Sequence, residues 1–489
     1  MKRYSKLLLT GLVLLVAITV NTCGSGGDKD KIPLTTESGE AEDLYLKGRD
    51  LSEKLRYSEA REYYQKAVEV DPDFAVAHLS LAFVQPNTKG FYVSVDRALA
   101  LIDQISEGER LWILSVEAGY IERDVMKQRG LLEQLVRTYP NDERSHSLLA
   151  HHYFEQQEYD KAIEQYQNVI DINPDFSQVY NQLGYAYRFT EQYEKAEKAF
   201  KKYIDLIPDD PNPYDSYAEF LMKMGRFDES IQNYEKALKA SPYFYMSHIG
   251  ISSNLMLKGQ HEAAREQLRK MYLSARDGDQ RRIALTATAI TYVDEGEMDK
   301  AIEELEKRYA IAEADLDTIN MSGDVSLIGV LLWEMGELDE SVARLDQGLE
   351  LMMASSASGG TKELAEEGYV YNMACIFAKK GDFESAKKNA QKFESRSKAR
   401  RNPARIKYAH ELNGIIALAE GDYDTAIIEL NQASQLNPHN LYRLAQAYEG
   451  KGDKVTAKAL FEKAANANIS NSLPYALIRL KARAKSASM

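Results

Sequence analysis

Cysteine is nearly absent: 489 residues hold two, Cys23 and Cys375, in unlike settings, so no disulfide framework organises the fold. Cys375 lies in the apolar run 371–377, where a thiol is buried and inert rather than reactive. Proline is scarce, at 12, which leaves room for long helices, and no alternating apolar pattern of strands stands out. Without strands there is no seat for a glycine-rich phosphate loop, and no nucleotide cofactor is expected. Positive charge is in deficit: 61 lysines and arginines against 75 aspartates and glutamates leave a formal charge of −14, which argues against nucleic acid as a partner. The longest apolar run, residues 7–20, falls short of the roughly 20 residues a spanning helix needs. What the chain does have is tyrosine, 31 of them, in a composition 44% hydrophobic and 28% charged. That describes a folded, water-facing, all-α body packed through amphipathic aromatic side chains.

Pro72, Pro140, Pro174, Pro208 and Pro242 share one register: a single interval recurs between the last four, and twice that interval separates the first two, with Ser106 standing at the missing place. Two-thirds of the way back through each unit from these six positions come Gly48, Ala82, Val116, Ala150, Gly184 and Ala218, mostly small. Nearer to them come Ala60, Ser94, Gln128, Ala162, Ala196 and Ser230, and one helical turn later Tyr64, Ala98, Leu132, Tyr166, Phe200 and Tyr234. A small residue on one helix facing a small and then a large residue on the next lets two helices approach closely. Each unit therefore reads as helix, turn, helix, with proline ending the second helix. Beyond Pro242 a second marker continues, a glycine followed in the next helix by a small residue: Gly225, Gly259, Gly296, Gly336, Gly381, Gly421 and Gly452. Such a glycine is expected to end the first helix in the left-handed conformation, with Asp382, Asp422 and Asp453 capping the helix that follows.

Tyr180, Leu183, Gly184, Tyr187, Ala196, Phe200 and Pro208 together resemble one near-ideal tetratricopeptide repeat. The resemblance implies an all-α superhelical solenoid of about eleven repeats, in which each unit buries its apolar face only against its neighbours. It divides the chain into a regular array over 41–244, degenerate at 75–142, a looser array with longer connections over 245–466, and a capping helix and tail at 467–489. The last helix, 472–485, carries basic charge from Arg479 onward and reads as a cap with a solvated end. The run 355–360 reads as a surface loop between repeats. The basic cluster Arg396, Lys398, Arg400, Arg401, Arg405 and Lys407 reads as a solvated connection.

The segment 1–22 has the outline of a secretory signal: Lys2, Arg3 and Lys6, then the apolar run. Residues 20–23, Val-Asn-Thr-Cys, resemble the lipobox of bacterial lipoproteins, which implies lipidation of Cys23 and anchoring at the cell envelope. Asn21 and Thr22 depart from the usual small residues, so ordinary cleavage with a free Cys23 thiol stays open. The segment 23–40 reads as a flexible tether.

His146, His151 and His152 cluster near Glu143 and Glu155, but a helical metal site needs matching glutamates on facing helices, and none is found; no metal is expected. The repeats leave too few residues for a catalytic domain, so no enzymatic activity is expected. In the family resembled, first helices line a concave groove, which implies partner contacts from Arg144, Ser147, His151, Asn181, Tyr185, Arg188, Asp215 and Glu219. The family's lysine, asparagine and arginine set for a partner's C-terminal carboxylate is absent. The function implied is a non-enzymatic protein-interaction scaffold at the cell envelope. The alternative is a glycan- or nutrient-binding helical-repeat lipoprotein, against which the two tryptophans, Trp112 and Trp333, weigh.

Overall fold

The computed structural model describes residues 31–85, 88–399 and 402–489. Among these the chain forms 25 α-helices and no strand. The first 24 make twelve consecutive antiparallel pairs, from Gly39–Glu53 with Tyr57–Val70 to Pro438–Gly450 with Lys454–Ala465, and Leu473–Ser488 follows alone. These twelve pairs are the expected solenoid of about eleven repeats. The degenerate stretch holds two complete pairs, the second interrupted by a π turn at Glu117–Ile121.

Local geometry follows the registers. All seven marker glycines have positive φ, between 73° and 99°. At Gly225 the turn is closed by its own N–H on the Met222 carbonyl and by Arg226 N–H on the Leu221 carbonyl, each at 2.9 Å, which satisfies the helix's last acceptors. In the repeats upstream of Gly225 the same conformation recurs at the equivalent positions, Glu191, Gln157, Arg123 and Leu55, with φ of 58° to 60°. At Leu55, Gln157 and Glu191 the turn carries the same pair of hydrogen bonds as at Gly225, while at Arg123, after the π turn, Asp124 N–H instead reaches the Ala118 carbonyl at 2.8 Å; each non-glycine residue there costs about 1–2 kcal/mol. Asp382, Asp422 and Asp453 cap as expected, accepting from the backbone N–H of Ser385, Thr425 and Thr456 at 3.1 Å.

The small-to-large pairing also holds. A Cβ on Gly48 would meet the Tyr64 ring at 2.7 Å, and one on Gly184 the Phe200 ring at 2.8 Å. Ser230, at the small position of the second helix, donates to the Ala218 carbonyl at 2.7 Å, and Ser341 repeats this on Gly329. The result is a chain of apolar clusters running from repeat to repeat rather than one central core.

Three expectations are corrected. The second half does not have longer connections. Its extra residues lengthen the helices themselves, to 18 in Gly278–Glu295 and 22 in Gly359–Lys380 against 13 in Ser177–Phe189. The loop expected at 355–360 shrinks accordingly: Ser355 is buried, Ser358 N-caps the next helix, and Gly359 and Gly360 belong to it. The tether expected over 23–40 is a built strap in its described part. Ile32 is 3% exposed, its N–H donates to Asp142 at 2.7 Å, and Thr35 N–H donates to the buried Glu109 at 2.9 Å. The signal segment, Cys23, Arg400 and Arg401 lie outside the described residues.

The array turns back on itself after seven repeats. Lys407 of the eleventh repeat donates to Gln157 of the fourth at 2.7 Å, and Lys463 of the twelfth pairs with Glu191 of the fifth at 2.9 Å. Lys223 then donates to the Ala467 carbonyl at 2.8 Å, and Ser253 meets Ser470 at 3.0 Å. The last helix comes to rest on Gly278–Glu295. The solvated basic end expected from Arg479 onward is therefore corrected. Arg479 is 1% exposed, and its Nε donates to the buried Asp294 at 2.6 Å, beside His261 at 2.9 Å from the same carboxylate; the exposed basic residues begin only at Lys481. Elsewhere the described basic cluster is largely paired, Arg396 with Glu366, Lys398 with Glu394 and Arg405 with Glu367.

Candidate functional site

First helices of successive repeats line the inner surface, and seven of the eight expected groove residues fall there into two groups. Tyr185, Arg188, Asp215 and Glu219 come together. Tyr185 sits one turn before Arg188 on Ser177–Phe189, and Glu219 projects from Pro211–Lys223 in the next repeat to accept from the Tyr185 hydroxyl at 2.8 Å and from Arg188 at 2.7 Å. The guanidinium lies 4.9 Å from the ring centres of both Tyr185 and Phe189. Burial would raise the Glu219 carboxyl, but the Arg188 charge and its hydrogen bond hold it below the usual carboxylate range. Asp215, one turn earlier, has no such cation. Burial pushes it to about 7, the Glu219 charge adds to the rise, and only Ser247 Oγ at 2.6 Å opposes it.

Arg144, Ser147 and His151 line a separate cavity of about 440 Å3 inside the first five repeats. Arg144 is not free for a partner as a whole. Its Nε donates to Asp142 at 3.0 Å and its Nη2 to the Ile32 carbonyl at 2.8 Å, which fastens the strap, while Nη1 has no partner among the described residues. His151 is exposed and pairs with Glu155 at 3.3 Å. Asn181 lies between the two groups and is only 4% exposed, so it is a packed residue rather than an open contact.

The cavity holds residues that sequence reasoning passes over. Tyr166 reads in sequence only as the large packing residue of its repeat, yet it lines the cavity, and its hydroxyl is buried without a partner among the described residues. Arg49 and Glu53 of the first repeat stand 3.6 Å apart on the same wall, and burial pushes Glu53 up to about 7 against the pull of Arg49. Their groove-facing register, the last turn of a first helix, is the signal that could have found them.

His146 bonds Gln165 and the Pro140 carbonyl, and His152 bonds Gln128, with burial and Arg129 pushing His152 down to about 4. Among the described residues no group of three or more His, Cys, Asp or Glu is placed to hold a metal ion. Cys375 is buried as expected, its thiol pushed up to about 12 by burial. No helix among the described residues is long and apolar enough to cross a membrane.

Family models described as tetratricopeptide repeats match residues 41–74, 150–188, 177–210, 212–244 and 439–467, at both ends and in the middle of the array. The chain is a tetratricopeptide-repeat protein. Solved structures similar to this repeat protein include a tetratricopeptide repeat protein from Parabacteroides merdae, 15% identical, covering 56% of this chain and 94% of that one, TM-score 0.36. MamA from Desulfovibrio magneticus is 16% identical over 33% of this chain and 92% of its own, TM-score 0.30. The Cut9-Hcn1 hetero-tetramer of the APC/C is 13% identical over 89% of this chain and 78% of its own, TM-score 0.39. No curated protein matches the repeat protein's sequence.

Proposed function

We propose that this tetratricopeptide-repeat protein is a non-enzymatic interaction scaffold, held at the bacterial cell envelope through Cys23, that receives protein partners on its inner surface. The observation that carries the reading is the concave station formed by Tyr185, Arg188 and Glu219 across two repeats. It is a rigid aromatic and ionic patch, fixed by two hydrogen bonds of 2.8 and 2.7 Å and flanked by the cavity of the first five repeats. Aromatic and arginine side chains held in one conformation lose little entropy on binding, which is what an interaction hot spot requires. The lipobox-like residues 20–23 and the basic, apolar start support the tether.

Affinity capture with the chain lacking residues 1–22, followed by mass spectrometry, tests the scaffold. A protein partner retained by the wild type and lost on Tyr185→Ala with Arg188→Ala, at unchanged helicity, supports the reading; retention of no protein, or retention indifferent to the pair, contradicts it. Metabolic labelling with a fatty-acid analogue tests the tether: label is expected on the wild type and not on Cys23→Ala.

A further inference from the structure

We infer that the cavity of the first five repeats is a side-chain pocket for an internal stretch of extended peptide. It takes one large apolar or aromatic residue, while the flanking main-chain carbonyls accept hydrogen bonds from Trp112, Arg144 and Tyr166. The inference rests on the scaffold reading and gives its partner a chemistry.

The walls come from four consecutive repeats and more: Tyr45, Phe83, Trp112, Tyr120, Leu148 and Phe176 surround about 440 Å3. Phe83 is 44% exposed although it sits on this wall, so the apolar surface is open to an incoming group. The buried polar atoms left unpartnered on this wall can all donate. Trp112 Nε1, Arg144 Nη1 and the Tyr166 hydroxyl are all buried and have no hydrogen-bond partner among the described residues, and Tyr166 is 1% exposed. The first two can only donate, and the third donates readily. Buried donors without acceptors each forgo a hydrogen bond that a ligand can supply.

The charge pattern says which acceptor. Arg144 is already neutralised by Asp142, through Nε at 3.0 Å, and Arg49 shares the wall with two carboxyls, Glu53 at 3.6 Å and Glu155. Among the described residues no lysine or arginine on this wall is left over for a carboxylate, so neutral carbonyl oxygens fit and an anionic chain end does not. A sugar would bring hydroxyl donors along with its acceptors, and the unpartnered atoms offer those donors little. An extended peptide presents carbonyls on both sides of an inserted side chain, and aromatic walls take that side chain.

The test uses the full mature chain carrying Trp333→Phe, which leaves Trp112 as the only tryptophan and makes its emission report the cavity. Blocked peptides, acetyl-Ser-Gly-X-Gly-Ser-amide with X as Phe, Leu or Ala, are titrated. The Phe and Leu peptides are expected to shift the emission saturably, with the Ala peptide at least about ten-fold weaker, since a large apolar side chain is worth more than the roughly 1.4 kcal/mol of one decade. Tyr166→Phe should weaken the Phe peptide about five-fold while the melting temperature stays or rises, because the hydroxyl has no partner to lose within the fold. Ser147→Phe, which fills the cavity, should abolish the response with helicity intact. Equal binding of all three peptides, an unchanged affinity in Tyr166→Phe, or a saturable response to sodium acetate or maltose in place of the peptides overturns the inference. If affinity capture still retains a protein partner while the titrations fail, the pocket is wrong and the scaffold stands; if the titrations succeed and capture retains nothing, the scaffold is wrong.

Discussion

The C-terminal helix is held by a contact whose removal has a calculable effect. Arg479 and Asp294 are both essentially without exposure, and the carboxylate is shared by two guanidinium hydrogen bonds and the His261 imidazole. Replacing Arg479 with Met keeps the length and apolar stem but leaves a buried carboxylate with one imidazole. Breaking a buried pair from one side costs about 3–5 kcal/mol, because the surviving charge stays desolvated. Stability in a repeat array is local, so the loss should fall on docking of Leu473–Ser488 against Gly278–Glu295 rather than on the whole chain. At about 1.4 kcal/mol per decade, the open fraction of that helix should rise by roughly two to three and a half decades. Native-state hydrogen exchange of the amides of Tyr475, Ile478 and Ala482, all buried, reads that fraction directly. Adding Asp294→Asn to Arg479→Met removes the stranded charge and should restore most of the protection. Exchange in the single variant within ten-fold of wild type, or a double variant as open as the single, would refute the reasoning.

Other perturbations follow from the same geometry. Gly184→Ala places a methyl 2.8 Å from the Phe200 ring and should destabilise its repeats by about 1–3 kcal/mol in urea unfolding. Leu316 has φ 54° and is 84% exposed, so Leu316→Gly should relieve about 1–2 kcal/mol of left-handed strain against about 0.4–1 kcal/mol of added chain entropy, a small net gain in the same assay. Asp215 has a folded pKa of about 7 against an ordinary value of 3.8, so the folded chain binds the extra proton between those values. Its contribution to stability is therefore most favourable below about pH 4, declines as pH rises and is fully lost above about 7. Asp215→Asn should flatten that decline, raising the melting temperature relative to wild type at about pH 8 but not at about pH 4.

Much of this was legible in the sequence because a repeat writes its geometry many times. The small residue at Gly184 and the ring at Phe200 could be paired by register alone, and the seven glycines announced seven left-handed turns. Leu55, Arg123, Gln157 and Glu191 take the same left-handed conformation without a compositional mark, and only coordinates reveal them. Contacts across one superhelical turn were invisible for a different reason. Lys407 with Gln157 and Arg479 with Asp294 are 250 and 185 residues apart, and nothing local to either partner records the other. The strap failed similarly: Ile32 and Leu34 look like stray apolar residues in a polar stretch until Ile32 is seen in one buried cluster with Leu111 and Leu132, and Leu34 packed on another. In the groove, periodicity could say that Tyr185 and Glu219 share a face, but not that they share a hydrogen bond or that Arg144 is held by Asp142.

The central claim, that partners are received on the inner surface, is tested most directly by site-specific photo-crosslinking in cells. A photoreactive residue is placed at Gln182, on the cavity wall, or at Glu235, exposed on a second helix. The account predicts protein adducts from Gln182 that disappear when Ser147→Phe fills the cavity, and none from Glu235. Adducts from Glu235 alone would contradict it.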